Sequence, residues 1–257
     1  MAQDASLASL NGSALVGLLK QLSLFDASVA APSFADGMSR WLGWTEAGAL
    51  FAALHGGLEP APAGTKVLDA AKAAQAVSRL QAVFEQSIRD EPLLRGGQKP
   101  AGLRALPASA AVLRLDDSDV APYRQRYAAI QQNMDMALDG LRSQLRASLA
   151  HRGGVAARLA ALDAVMAQVA GAHERQLLSM MPLLVERHFD RLRSAAARSE
   201  AAVEDARWGV VFRQDMQRLL HAELALRLMP LQGLLEALQH PEQHTDERRK
   251  EEQPSGA

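Results

Sequence analysis

YAAIQQNMDMALDGLRSQLRASL, residues 127–149, sets an apolar side chain at every third or fourth position: Tyr127, Ile130, Met134, Leu138, Leu141, Leu145 and Leu149. That spacing follows the 3.6-residue turn of an α-helix, so these side chains form one continuous stripe on a helix of roughly nine turns. Gly153 and Gly154 then stop it. A second stripe runs through Val155, Leu159, Leu162, Met166, Val169, His173, Leu177, Met180, Leu184, His188 and Leu192. It predicts a single helix near 60 Å long at about 1.5 Å per residue. Two such helices joined by a short glycine turn are expected to lie antiparallel as a hairpin. The spacing drifts from a strict heptad, which predicts local bundle packing instead of a regular supercoil. Pro182 removes a backbone donor and crowds the preceding turn, so a kink or strain is expected there. A last stripe begins near Asp205 and carries Phe212, Met216, Leu219, Leu224, Leu228, Leu231, Leu235 and Leu238, with Pro230 expected to divide or bend it.

Upstream the pattern is shorter and more broken. Asn11 or Ser13 can cap a first helix bearing Leu15, Leu18, Leu19 and Leu22. Ser33 with Asp36 resembles a capping box ahead of Met38, Trp41 and Leu42, and Gly43 interrupts that helix. Thr45 can cap a further helix with Leu50, Phe51 and Leu54, closing at Gly56 and Gly57. Residues 59–64 read as a linker, and Val67 to Arg89 returns to helical spacing through Val77, Leu80, Phe84 and Ile88. Between 91 and 117 no period holds, because Pro92, Gly96, Gly97, Pro100, Gly102 and Pro107 punctuate it.

These observations give an all-α fold: a small N-terminal helical unit over 1–90, an irregular linker over 91–117, and a long-helix bundle over 118–241. That bundle is built on the antiparallel hairpin and the C-terminal helix. A disordered polar tail is expected over 242–257, where Glu242, Asp246, Glu247, Glu251 and Glu252 face Arg248, Arg249 and Lys250. No fixed-period repeat is present.

Composition narrows the function classes. The 257 residues are 48% hydrophobic but only 4% aromatic, so the core is built from Leu, Ala, Val and Met, as close helix packing requires. A net charge of -1 gives no global footprint for nucleic acid or anionic lipid. With no cysteine, disulfides, iron–sulfur clusters and thiolate zinc sites are excluded. Lys20 breaks the N-terminal apolar stretch, so no secretory signal is expected. Charges such as Arg158, Asp163 and Arg227 interrupt the apolar windows, so no direct membrane insertion is expected and the location is taken as cytoplasmic. Five of the 28 basic residues are lysine and the rest arginine, a skew read as coding bias ahead of selection for anions.

Candidate chemistry is sparse. Asp116, Asp117, Ser118 and Asp119 before Pro122 resemble a metal cluster, but an N-cap with charges at the positive end of a helix dipole is the favoured reading. His173 and His188 share the long stripe, yet fifteen residues put them more than about 20 Å apart, so core histidines are expected in place of a shared ion. His240 with His244, and His221 beside Glu223, are unspecific. No nucleophile elbow, dinucleotide fingerprint or P-loop occurs, so no enzyme and no cofactor or metal is expected. Arg187, Arg191, Arg193 and Arg198 form a basic end to the long helix, with Glu186 and Asp190 expected to pair with them. Trp41 and Trp44 with Phe51 can anchor a partner, although a packed nucleus for the N-terminal helices is favoured.

Two segments carry a family resemblance: Gly12-Ser13-Ala14-Leu15-Val16 with Trp41-Leu42-Gly43-Trp44-Thr45, and Leu219 to Leu238 (LLHAELALRLMPLQGLLEAL). They resemble a proteobacterial family, domain of unknown function 3348, over nearly the full chain apart from the tail. The resemblance brings no catalytic residues. It implies a cytoplasmic accessory to an envelope-associated, stator-like complex. Together these readings point to a non-enzymatic helical interaction or scaffold protein with protein partners. Homo-oligomerisation is expected, because the long stripes exceed what the short helices can cover. Nucleic-acid binding through the arginine-rich end is the alternative.

Overall fold

The computed structural model describes residues 13–24, 44–55, 66–95, 119–198 and 202–240. Every regular element among them is a helix, and the fold is all-α. In chain order these are α1 (Ala14–Gln21), α2 (Trp44–His55), α3 (Ala70–Arg89), α4 (Pro92–Arg95), α5 (Ala121–Arg152), α6 (Gly154–Leu178), α7 (Met181–Ala197) and α8 (Ala202–Gln239). Ser33, Asp36, Trp41, Asp116 to Ser118, most of the 91–117 stretch and the tail beyond His240 lie outside the described residues.

Local chemistry sets the ends. The Ser13 hydroxyl accepts the Val16 amide at 3.3 Å and starts α1. Asp69 accepts the Lys72 amide at 2.7 Å and starts α3 three residues later than the sequence spacing suggests. Asp119 accepts the Ala121 amide at 2.9 Å, so this member of the acidic run serves the start of α5. At the end of α1 the amides of Ser23 and Leu24 return to the carbonyls of Lys20 and Leu19, with Ser23 at φ 52°. This is the Schellman arrangement, in which glycine normally takes the left-handed position. Glycine does take it between α5 and α6, where Gly153 and Gly154 have φ 74° and 57°.

The second stripe is a long bent helical run, as Pro182 predicts: a turn at Ser179 and Met180 separates α6 from α7, and Met180 stays in the right-handed helical region. Pro182 sits in the first turn of α7, where it gives up only an amide that a helix start leaves unpaired anyway. Other expectations are corrected. Pro230 does not divide α8, which is continuous from Ala202 to Gln239 around it. Thr45 is inside α2 and not ahead of it. Residues 92–95, expected to be irregular, form α4, whose Leu94 and Arg95 amides bond the Glu91 carbonyl.

The described chain divides into two compact units, neither of them a contiguous stretch. One takes residues 1–37, 81–135 and 174–226, the other 38–80, 136–173 and 227–257. In the first, Gln131 meets Leu178 and Arg124 meets Glu186, so α5 runs antiparallel to the α6 end and α7. Tyr123 meets Phe212 and Tyr127 meets Glu223, so α5 and α8 run in the same direction. Its core joins Leu15 and Leu19 of α1, Ile88 of α3, Leu184 and Phe189 of α7, and Leu219 and Leu220 of α8. In the second, Arg142 pairs with Asp163 at 2.6 Å across the glycine turn, as an antiparallel hairpin requires. Leu138, Leu145 and Leu149 of α5 and Leu228, Leu231, Leu234 and Leu238 of α8 are buried there. The Leu68 amide donates to the Ser148 hydroxyl at 2.8 Å and ties the entry to α3 onto α5.

The two left-handed positions carry opposite residues, so they predict opposite responses. Ser23→Gly removes the Cβ penalty at φ 52° and is expected to raise stability by about 0.5–1 kcal/mol. Gly153→Ala meets no atom within 4 Å, so its cost is purely conformational, and a loss of about 1 kcal/mol is expected. Urea denaturation of both variants checks this; shifts of the same sign contradict it.

Candidate functional site: the buried polar core and the basic face of α7

Pro182 has a consequence two elements away, on α5. In an uninterrupted helix the carbonyl of Leu178 would accept the amide of residue 182, and proline has none. That carbonyl instead accepts the side-chain amide of Gln131 on α5, at 2.8 Å. The same Gln131 nitrogen donates to both carboxyl oxygens of Glu223 on α8, at 2.8 and 3.0 Å. The Tyr127 hydroxyl donates to Glu223 Oε2 at 2.9 Å. Glu223 is 0% exposed, so each donor replaces water that this acid would otherwise keep.

A second buried cluster lies where α7 meets α8. His188, 2% exposed, places Nε2 at 2.9 Å from Asp215 Oδ2. Arg191 Nη2 lies 2.9 Å from His188 Nδ1, and Arg218 donates to Asp215 Oδ1 at 3.2 Å. Around them Tyr123, Phe189, Trp208 and Phe212 pack edge to face, with centroids 5.0–5.1 Å apart in three of the pairs. Burial holds the His188 imidazole below the ordinary histidine range, the Asp215 carboxylate working against that and the Arg191 cation with it. Burial also lowers His173 and His221, with Glu85 raising and Arg89 lowering the latter.

The four arginines singled out in the sequence all lie on or just beyond α7. Arg187 is exposed, and Arg191 is engaged by His188. Arg193 pairs with Asp190 at 3.3 Å and stands 5.5 Å over the Phe189 ring. Arg198 Nε donates to the Ser194 carbonyl at 3.1 Å. Asp190 thus pairs within the helix as expected. Glu186 does not: it reaches Arg124 of α5 at 2.9 Å. Trp44 opens α2 with its side chain outside the described part. Phe51, expected in a packed nucleus, is 65% exposed and stacks on His55 one turn later.

In the other unit α6 is the unusual element. Val155, a member of the predicted stripe, is 57% exposed, and Leu159, Leu162 and Met166 are only half-buried. The stretch Gly154–Ala197 contains a window long and apolar enough to cross a membrane by length and composition, of which only 22% is buried. Asp163 lies within α6 and is held by Arg142 and Arg146 of α5. A cavity of about 380 Å³ opens beside the glycine turn between Arg152, Val155, Leu159, Ala237 and His240. Among the described residues no three His, Asp or Glu side chains group to hold a metal ion.

The polar core gives two predictions. Gln131→Leu strands the Leu178 carbonyl and strips Glu223 of a donor, so a loss of about 2–4 kcal/mol is expected in urea denaturation. A value within about 0.5 kcal/mol of the wild type would contradict the role assigned to Gln131. The histidines set the pH response. A base whose folded pKa lies below its unfolded 6.5 favours the folded state most above 6.5, and that contribution is lost as pH falls through and below this value. Unfolding midpoints are therefore expected to fall between pH 7.5 and 5.5, and to fall less in His188→Gln; a flat or rising profile toward acid would overturn the assignment.

Comparison with known proteins adds one match. The family model described as protein of unknown function (DUF3348) covers residues 1–240. Neither a curated protein nor a solved structure matches the chain. A match over all but the polar tail, carrying the segments that supply α1 and the C-terminal half of α8, makes the chain a member of the DUF3348 family.

Proposed function

We propose that this chain is a non-enzymatic helical interaction protein, a scaffold whose partner is another polypeptide, serving in the cytoplasm as an accessory of an envelope-associated complex. The observation that carries the proposal is the state of α6. Ala157, Ala160 and its C-terminal Leu177 and Leu178 are buried, but between them residues 161–167, nearly two turns, are all half-buried, and Val155 is 57% exposed. Apolar surface of this kind is costly in water and marks a place where another surface docks. Two features favour a protein over a bilayer as that surface. Asp163 is ion-paired to two arginines midway along the window, and charge at that depth is expensive in hydrocarbon. Arg158 is exposed on the same helix.

The alternative, nucleic-acid binding, rests on the arginines of α7. Three of the four already have partners within that helix or its first flanking turn, so the apolar reading has more support.

A photo-crosslinking residue at Leu159 tests the proposal in cells and with the purified chain. The expected result is a discrete protein adduct of defined mass, lost when Met166→Asp charges the same face; an adduct of twice the chain mass identifies a second copy. Cross-links to lipid alone, co-flotation with vesicles, or adducts that Met166→Asp leaves unchanged would overturn the reading.

A further inference from the structure

The imidazole of His188 has both nitrogens committed, and the chemistry of its neighbours fixes which one carries the proton. A guanidinium has only donors, so the Arg191 nitrogen 2.9 Å away must donate, and Nδ1 must offer a lone pair. Nε2 then carries the hydrogen and donates it to Asp215 Oδ2. The ring is neutral, pinned at one end by a carboxylate and at the other by a cation.

We propose that His188 is a proton-operated latch: neutral, it holds Arg191 against the junction of α7 and α8, and on taking a second proton it releases that arginine from the helix face. The second proton has one place to go, Nδ1, which Arg191 occupies. Once protonated, Nδ1 points an N–H at an N–H, and the contact turns from attraction to repulsion. The ring cannot turn away, because Asp215 holds Nε2 more strongly when the imidazole is charged and Phe212 packs beside it, 6.1 Å between centroids. Arg191 can move: it is exposed, on a long flexible stem, whereas His188 is buried.

The surrounding charges leave the arrangement to these three groups. On α8, Arg218 is bound to the other oxygen of Asp215, and Arg213 lies 3.5 Å from the Tyr123 hydroxyl of α5. On α7, Glu186 is paired with Arg124 of α5, and Asp190 with Arg193. Among the described residues, the carboxylates of Glu186, Asp190 and Asp215 are thus each engaged by another group than Nδ1. Burial sets the threshold on the acid side of the ordinary histidine range, so the latch is closed at neutral pH. Released, Arg191 adds a mobile cation beside the exposed Arg187, and α7 becomes more basic outward as the medium acidifies.

Nitrogen-15 NMR of the full chain tests this at the two ring nitrogens and at the Arg191 guanidinium. At pH 7.5 the proton is expected on Nε2 of His188. On acidification, protonation of Nδ1 and a change in the Arg191 Nε–H signal are expected with one shared midpoint. Arg191→Gln removes the cation and offers an oxygen to Nδ1–H, so its midpoint is expected to move up, while Arg191→Lys keeps donor and charge and stays near the wild type. Both changes are at an exposed side chain and leave the fold intact. A proton on Nδ1 at pH 7.5, separate midpoints, a midpoint in Arg191→Gln no higher than in Arg191→Lys, or a His188 that stays neutral until the chain unfolds would each overturn the latch.

Discussion

A backbone carbonyl buried without a donor costs as much as a lost hydrogen bond, and the first compact unit is arranged around the one that Pro182 creates. The Leu178 carbonyl loses its helical partner, Gln131 supplies one from α5, and Gln131 in turn needs an acceptor for its remaining donor capacity. Glu223 of α8 is that acceptor. The chain of need fixes three helices in rotation as well as in height. Apolar stripes alone do not do this: a leucine seam tolerates a slip or a small rotation at modest cost, whereas a buried carboxyl meets its donors in one register only. The break between α6 and α7 is therefore part of how this unit selects its packing.

The aromatic residues reinforce the same junction. Aromatic content is low, yet Tyr123, Tyr127, Phe189 and Phe212 are all fully buried within it, and Trp208 packs against Phe189. Each large ring fills volume that several alanines would otherwise have to fill, so a core poor in aromatics gains most from placing them where several helices meet. Phe212 packs beside the His188 imidazole, and burial at this junction is what lowers that ring's affinity for a second proton.

Much of this architecture was legible in the residue order. The α5 stripe, the double-glycine stop, the hairpin and the Ser13 cap all follow from spacing and from the φ angles particular residues allow. The bend before Met181 was legible, since Pro182 announces it, but the partner of the stranded Leu178 carbonyl was not. That partner, Gln131, is distant in sequence. Gln131 and Asp215 escaped notice, and Glu223 was weighed only as a neighbour of His221, for a different reason. A search for apolar periodicity passes over polar residues, although Gln131 stands one turn after Tyr127 and Glu223 one turn after Leu219, where a leucine would continue the seam. A polar residue at a seam position is the signal that was there to use. Phe51 shows the converse error, since an aromatic ring in a short helix says nothing of which way that helix faces.

The α6 helix completes the contrast. Alanine dominates it, and an alanine side chain removes little area from water, so a helix of this composition gains less from being covered than α5 or α8 does per residue. Its attachment within its unit leans on the paired charges of Arg142, Arg146 and Asp163, which set its register against α5 without sealing its flanks. Polar anchoring combined with thin apolar cover leaves a helix held in place yet still able to gain from further burial. Surfaces that take partners are drawn from such segments, because fully packed helices have nothing left to bury and loosely held ones lose their order entropy on binding. In this chain the sealed junction around Glu223 and the open helix around Leu162 are thus complementary, the one fixing the geometry and the other keeping apolar surface in reserve.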